Sequence, residues 1–219
     1  MDMDKNGIIE RTAEHAKGKL TAEYAAHDWW HTFRVWKMAK YLAEKENADG
    51  FIVELAALLH DIADWKFHNG DESAGPRQAK EWLEELGVDK DSIDKVCEIV
   101  ATESFMGENH KQEMKTIEGK VVQDADRLDA IGAIGVARVF AFGGHLGNPI
   151  HNPNDKPIKN KTVEEYKKMN ATAINHFYEK LLLLKERMNT ETAKRIAEGR
   201  HKFMDEFLER FFEEWEGKA

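Results

Sequence analysis

Cysteine is nearly missing from this chain: Cys97 is the only one in 219 residues. That excludes an internal disulfide and any CxxC metal site. Long apolar runs are missing too, and none approaches the roughly 18 residues of a membrane span. Positive charge is in deficit, with 32 Lys and Arg against 41 Asp and Glu, a net of −9. Such an excess argues against wholesale binding to nucleic-acid backbones or anionic membranes. It leaves room for a small anionic substrate that brings its own divalent cation. No stretch shows strand alternation of useful length, and no repeat or low-complexity segment is present. The N-terminus, Met1-Asp2-Met3-Asp4-Lys5, lacks a secretory signal, so the cytoplasm is the expected location.

What is present is an ordinary globular composition, 42% hydrophobic and 33% charged, with ten histidines. The length suits one domain. The reading is all-α: a compact single-domain helical bundle over 1–219, with its functional core in about 25–145 and a helical hairpin in about 162–217.

The stretch Leu55-Ala56-Ala57-Leu58-Leu59-His60-Asp61-Ile62 organises the rest. It is apolar on nearly every helical face, so it predicts a helix buried all round, with Asp49 as its N-cap. That helix delivers an imidazole and a carboxylate into the interior. An unpaired carboxylate there would cost several kcal/mol, and a metal ion satisfies both groups at once.

A preceding helix is expected over about 28–46. His27, His31, Val35, Met38 and Leu42 recur at spacings of three and four, which sets His31 on an apolar face. A hydrogen-bonded core histidine is the plain structural alternative, and core packing is the expectation for Trp29, Trp30, Phe33 and Trp36. Further helices are expected from Ser73 to Leu86, ended by Gly87, and from Asp91 or Ser92 to about Glu103. In the stretch from Lys120 to Gly132, Val122, Asp126, Ala130 and Ala133 share a stripe, so Asp126 also needs a buried partner. Asp129 is placed to cap a helix over 130–142, in which Gly132 and Gly135 permit close packing. Arg127 is placed to pair with Asp124 or with a phosphate. The irregular stretch 143–161 has the length of a lid or binding loop. The tail predicts two long helices: one starts at a capping box, Thr162 to Glu165, and runs on to Met188, and one starts at Thr190. The second carries the apolar stripe Ile196, Phe203, Phe207, Phe211, Trp215, and its apolar residues permit a homodimer.

His31, His60-Asp61 and Asp126 supply two imidazoles and two carboxylates. Four N/O ligands suit a divalent cation such as Mn, Mg, Fe, Ni or Zn and leave positions for water and a substrate oxygen.

This H…HD…D order resembles the HD-domain metal-dependent phosphohydrolase superfamily, an all-α fold. The runs His27-Asp28-Trp29-Trp30-His31-Thr32-Phe33-Arg34-Val35, Leu58-Leu59-His60-Asp61-Ile62 and Gln123-Asp124-Ala125-Asp126-Arg127-Leu128-Asp129 are similar to the small bacterial HD hydrolases. Members of that subgroup split nucleoside triphosphates, chiefly deoxynucleotides, to monophosphate and pyrophosphate. The resemblance spans roughly residues 25 to 215.

The resemblance implies metal ligation by His31, His60, Asp61 and Asp126, with Asp61 also touching the nucleophilic water. It implies phosphate contact and proton handling from Asp64, Lys66 and His68, with Asp71, Glu72 or Glu103 nearby. Arg34, Arg127 and His27 would bind phosphate or brace the ligands. Glu103 is either a base on the metal side or a helix cap, and His110 is uncommitted. Other activities stay open: a nucleotide phosphomonoesterase, a cyclic- or signalling-nucleotide phosphodiesterase, a metal-stabilised regulatory domain without catalysis, and a di-iron oxygenase using His27, His68 and His110.

Overall fold

Every residue from Phe51 to Leu59 is buried. In the computed structural model, which describes residues 4–20, 28–63, 71, 73–102, 113–158 and 172–218, this run is the centre of the first of two compact units. The units comprise Met1–Phe105 with Gln112–Ala125, and Met106–Lys111 with Asp126–Ala219. Among the described residues there are helices and turns and no strand, as the all-α reading expects.

The first unit holds α1 (Lys5–Lys19), α2 (Trp29–Glu46), α3 (Gly50–Leu59), α4 (Ala74–Glu85), α5 (Lys90–Thr102) and the start of α6 (Ile117–Asp129). Helix α3 packs against α1, α2 and α5. Its start is defined by Asp49, whose carboxylate accepts from the Phe51 and Ile52 amides at 2.9 and 3.5 Å. Helix α2 opens on the Asp28 carboxylate, which accepts from the His31 amide at 2.8 Å. It ends at Asn47, left-handed at φ 55°. The Ala48 amide then folds back to the Ala43 carbonyl, a common way to close a helix. Two residues, Ala48 and Asp49, therefore separate the α2 cap from α3, and the two helices form an antiparallel pair.

Ser73 precedes α4, but its side chain makes no cap bond and instead donates to Asp71 at 2.6 Å. Helix α4 ends where expected, at Gly87 with φ +71°. Helix α5 begins one to two residues earlier than expected because Asp89, not Asp91 or Ser92, caps it, accepting from the Ser92 amide at 3.0 Å.

The second unit holds the end of α6, then α7 (Gly132–His145), α8 (Ala173–Glu179), two 3-10 turns (Leu181–Leu183 and Lys185–Arg187) and α9 (Glu191–Trp215). Three sequence expectations are corrected here. Asp129 does not cap the following helix: it is the last residue of α6, and its carboxylate accepts from Arg138 at 2.7 Å. The stripe Val122, Asp126, Ala130, Ala133 is interrupted, because α6 stops at Asp129 and Gly132, at φ +77°, redirects the chain; Ala133 is exposed. The first long tail helix is not continuous. Lys180 leaves helical geometry at φ −140°, and the apolar period continues through tight 3-10 turns that still bury Leu181 and Leu184.

On α9 the buried face is Ala193, Ala197, Met204 and Leu208. The predicted stripe is its neighbour: Phe203 and Trp215 are exposed, while Phe207 stacks on Phe177 with centroids 5.8 Å apart.

Candidate metal centre

The position of His60 follows from the helix before it. Helix α3 ends at Leu59, and His60 keeps right-handed helical geometry at φ −58° and ψ −37°. Its side chain can therefore fold back on the last turn, where Nδ1 lies 2.8 Å from the Ala57 carbonyl oxygen. A carbonyl only accepts, so Nδ1 carries the proton and Nε2 presents its lone pair.

His31, in the first turn of α2, faces it. The two rings are 5.3 Å apart and nearly perpendicular, and the two Nε2 atoms are 3.3 Å apart. Asp61 completes a triangle: its Oδ2 is 3.3 Å from His31 Nε2 and 3.2 Å from His60 Nε2. All three residues are buried. Three donor atoms with nearly equal edges fit one face of a metal coordination shell. N/O ligands about 2.0–2.3 Å from an ion stand about 2.8–3.3 Å apart when adjacent.

Asp126 comes from α6. The boundary between the compact units falls at Ala125, yet α6 turns unbroken through it. Asp126 lies within this helix and is half-buried. The donors brought together within the first unit are two imidazoles and one carboxylate, which suit a borderline or hard divalent cation.

Of the other predicted residues, Arg34 and Arg127 are half-buried. One guanidinium nitrogen of Arg127 donates to the Arg187 carbonyl. Asp71 is exposed and turned toward Ser73 and Arg77. Hydrogen bonds from Ser73, aided by Arg77, hold its carboxyl below the usual range. His27, Asp64, Lys66, His68, Glu72, Glu103 and His110 lie outside the described residues.

The C-terminal end of α6 has its own support in the second unit. Arg200 donates to the Leu128 carbonyl, and Arg138 donates to Asp129. Burial draws the Arg200 guanidinium below its ordinary pKa, with Asp129 acting against the shift. Neither arginine stands out in the sequence, because their partners lie 72 and nine positions away.

The part of the long irregular stretch that is described is tied down. The Ala173 and Ile174 amides donate to the Pro149 and Ile150 carbonyls at 3.0 Å each, and Asn175 Nδ2 donates to the Asp155 carbonyl at 3.1 Å. Among the described residues no helix is long and apolar enough to cross a membrane.

Comparison with known proteins agrees with this geometry. The HD domain family model matches residues 29–131, a stretch that contains His31, His60, Asp61 and Asp126. The chain is 42% identical to YpgQ of Bacillus subtilis over 190 residues, covering 86% of this chain and 84% of that one. A crystal structure of an HD-superfamily hydrolase from Bacillus thuringiensis aligns with TM-score 0.77 and 44% identity, covering 97% of this chain and 99% of the other. The crystal structure of Bacillus subtilis YpgQ in complex with ADP aligns with TM-score 0.77 and 37% identity over 97% and 96% of the two chains. Relatives matched along nearly their whole length, with the His and Asp cluster inside the matched stretch, settle the kinship: this chain belongs to the HD-domain superfamily and is a metal-dependent phosphohydrolase.

Proposed function

We propose that the chain hydrolyses nucleoside triphosphates, deoxynucleotides included, at the α-phosphorus to a monophosphate and pyrophosphate. The observation that carries this reading is the triangle of His31 Nε2, His60 Nε2 and Asp61 Oδ2, with edges of 3.2–3.3 Å. The resemblance of the surrounding sequence to the small bacterial HD hydrolases supports a triphosphate substrate. The ADP complex of YpgQ supports a nucleotide.

In this reading His31, His60, Asp61 and Asp126 hold a divalent cation, Mn, Mg, Ni or Fe. Such an ion supplies Lewis acidity, lowering the pKa of water it holds and polarising a phosphoryl oxygen. Asp61 also orients the attacking water. Water oxygen bonds to the α-phosphorus, the bond to the bridging α–β oxygen breaks, and pyrophosphate leaves. Asp64 and Glu103 are the proposed groups for the water proton. Lys66, His68, His27, Arg34 and Arg127 are the proposed contacts to the polyphosphate.

The test is phosphorus NMR of products from protein loaded with Mn or Mg and offered a panel of nucleoside and deoxynucleoside mono-, di- and triphosphates. Pyrophosphate with a monophosphate is the expected result. Inorganic phosphate released from monophosphates would replace the proposal with phosphomonoesterase activity. Asp61→Ala should lose metal and turnover together while keeping its helix content; activity in chelator-treated protein would overturn the metal reading.

A further inference from the structure

Glu54 is an acid in the middle of a wholly buried apolar helix, and the proposed chemistry makes no use of it. Its Oε2 accepts from Trp36 Nε1 at 2.7 Å, and its Oε1 lies 3.3 Å from Lys40 Nζ. Both partners are on α2, the helix that carries His31. The rest of α3 from Phe51 to Leu59 is apolar and includes the small pair Ala56-Ala57. Apolar burial is non-directional and by itself specifies the offset of two helices less sharply than a polar contact does. A hydrogen bond is limited in length and angle, so it can set the offset of two helices.

The contacts run in opposite directions on the two helices. His31 meets His60, and Trp36 meets Glu54. Trp36 and His31 are five residues apart and Glu54 and His60 six, or about 7.5 and 9 Å of helix rise. The clamp is therefore about one and a half turns from the metal-ligating pair along the same helix–helix seam. A slip of one residue would move one imidazole by about 1.5 Å, more than a metal site tolerates.

We infer that Glu54 is a positioning residue: held by Trp36 and Lys40, it sets the register of α2 against α3 and thereby the spacing of His31 and His60. This rests on the metal reading above but assigns no ligand or catalytic step to Glu54.

The experiment is calorimetric titration of the metal-free full chain with Mn2+, paired with indole N–H resonances in 1H–15N spectra. Glu54→Leu should weaken Mn2+ binding by about tenfold or more, because ligands held out of their geometry by more than about 0.5 Å lose the site. It should also shift the Trp36 indole resonance to its solvent-like position. Glu54→Gln keeps an acceptor for Trp36 and should restore affinity to within about threefold, because the bond that sets the offset is retained. Trp36→Phe removes the donor and keeps the ring, so it carries the test if Glu54→Leu does not fold. Wild-type Mn2+ affinity in a folded Glu54→Leu or Trp36→Phe protein overturns the inference alone. Failure of the wild type to bind any of Mn2+, Mg2+, Ni2+ and Fe2+ overturns the metal reading and this inference with it.

Discussion

His60 Nδ1 donates to the carbonyl of Ala57, three residues earlier, across 2.8 Å. This one bond selects the tautomer that turns the Nε2 lone pair toward His31 and Asp61. It also ties the orientation of the ring to the last turn of α3. A site preformed in this way should be stabilised by metal. At a free metal concentration of 100 times Kd the gain is about 2.7 kcal/mol, which corresponds to a rise of about 5–10 °C in the melting midpoint for a chain of this size. Mn2+ should produce this shift in a circular-dichroism melt and a chelator should reverse it. Asp61→Ala should not respond. A wild-type midpoint indifferent to Mn2+, Mg2+, Ni2+ and Fe2+ would count against the site.

Gly132 sits at φ +77°, and a Cβ placed there would lie 2.9 Å from Arg200 Cγ and 3.0 Å from its Cβ. The arginine cannot retreat easily, since its guanidinium donates to the Leu128 carbonyl. Gly132→Ala should destabilise the protein by about 1–3 kcal/mol, from left-handed backbone strain and the displaced arginine together. Gly144, in the same helix, is the control: a Cβ there meets nothing within 4 Å. Gly144→Ala should be neutral or stabilising by up to about 1 kcal/mol. Urea titration of the two variants measures the contrast, and equal midpoints would show that the Gly132 turn relaxes without strain.

His15 on α1 stacks on Trp82 of α4, with centroids 3.8 Å apart and planes 9° from parallel. Burial, reinforced by Lys19 and opposed by Glu85, pulls its pKa below the ordinary 6.5. In the interval between the lowered value and 6.5 the unfolded chain binds more protons than the folded one. Its contribution is therefore complete above about pH 6.5 and is lost as pH falls toward the folded pKa. His15→Phe keeps the stack and removes the titration. Denaturant midpoints for this variant should fall less between about pH 7.5 and 5.5 than those of the wild type. Parallel curves would remove His15 from the acid response.

The residues proposed for the metal site are legible because their sequence setting is discordant. A His and an Asp ending an apolar helix, and a His on an apolar stripe, stand out against their neighbours, and the caps Asp28 and Asp49 announce the helices that present them. What stayed hidden depends on distance along the chain or on closely similar periodicities. Glu54 reads as a misplaced acid until Trp36 and Lys40 are seen beside it, 18 and 14 positions back. On α9 two stripes one residue apart are both apolar, and only packing decides that Met204 and Leu208 are buried while Phe203 is exposed. The break at Lys180 leaves no mark, because 3-10 turns preserve nearly the same apolar spacing. In sequence Asp129 has the position of a cap on the helix after it; its partner, Arg138, lies nine residues ahead, past the turn at Gly132.

That pair yields a last prediction. Asp129 is buried and Arg138 is a quarter exposed, with Nη1 2.7 Å from Oδ2. A charge-assisted bond with one end out of water is worth more than a surface ion pair, whose median value is about 0–1 kcal/mol. Removing only the cation also strips a buried carboxylate of this donor. Arg138→Met should therefore cost about 2–4 kcal/mol. Asp129→Asn, which keeps a hydrogen-bond acceptor for the guanidinium, should cost less. In the double variant the Met side chain faces a neutral amide, so the losses should fall short of additive by about 1–2 kcal/mol in urea denaturation. Additive losses would mean that the two side chains contribute independently, and that their bond does not hold the end of α6.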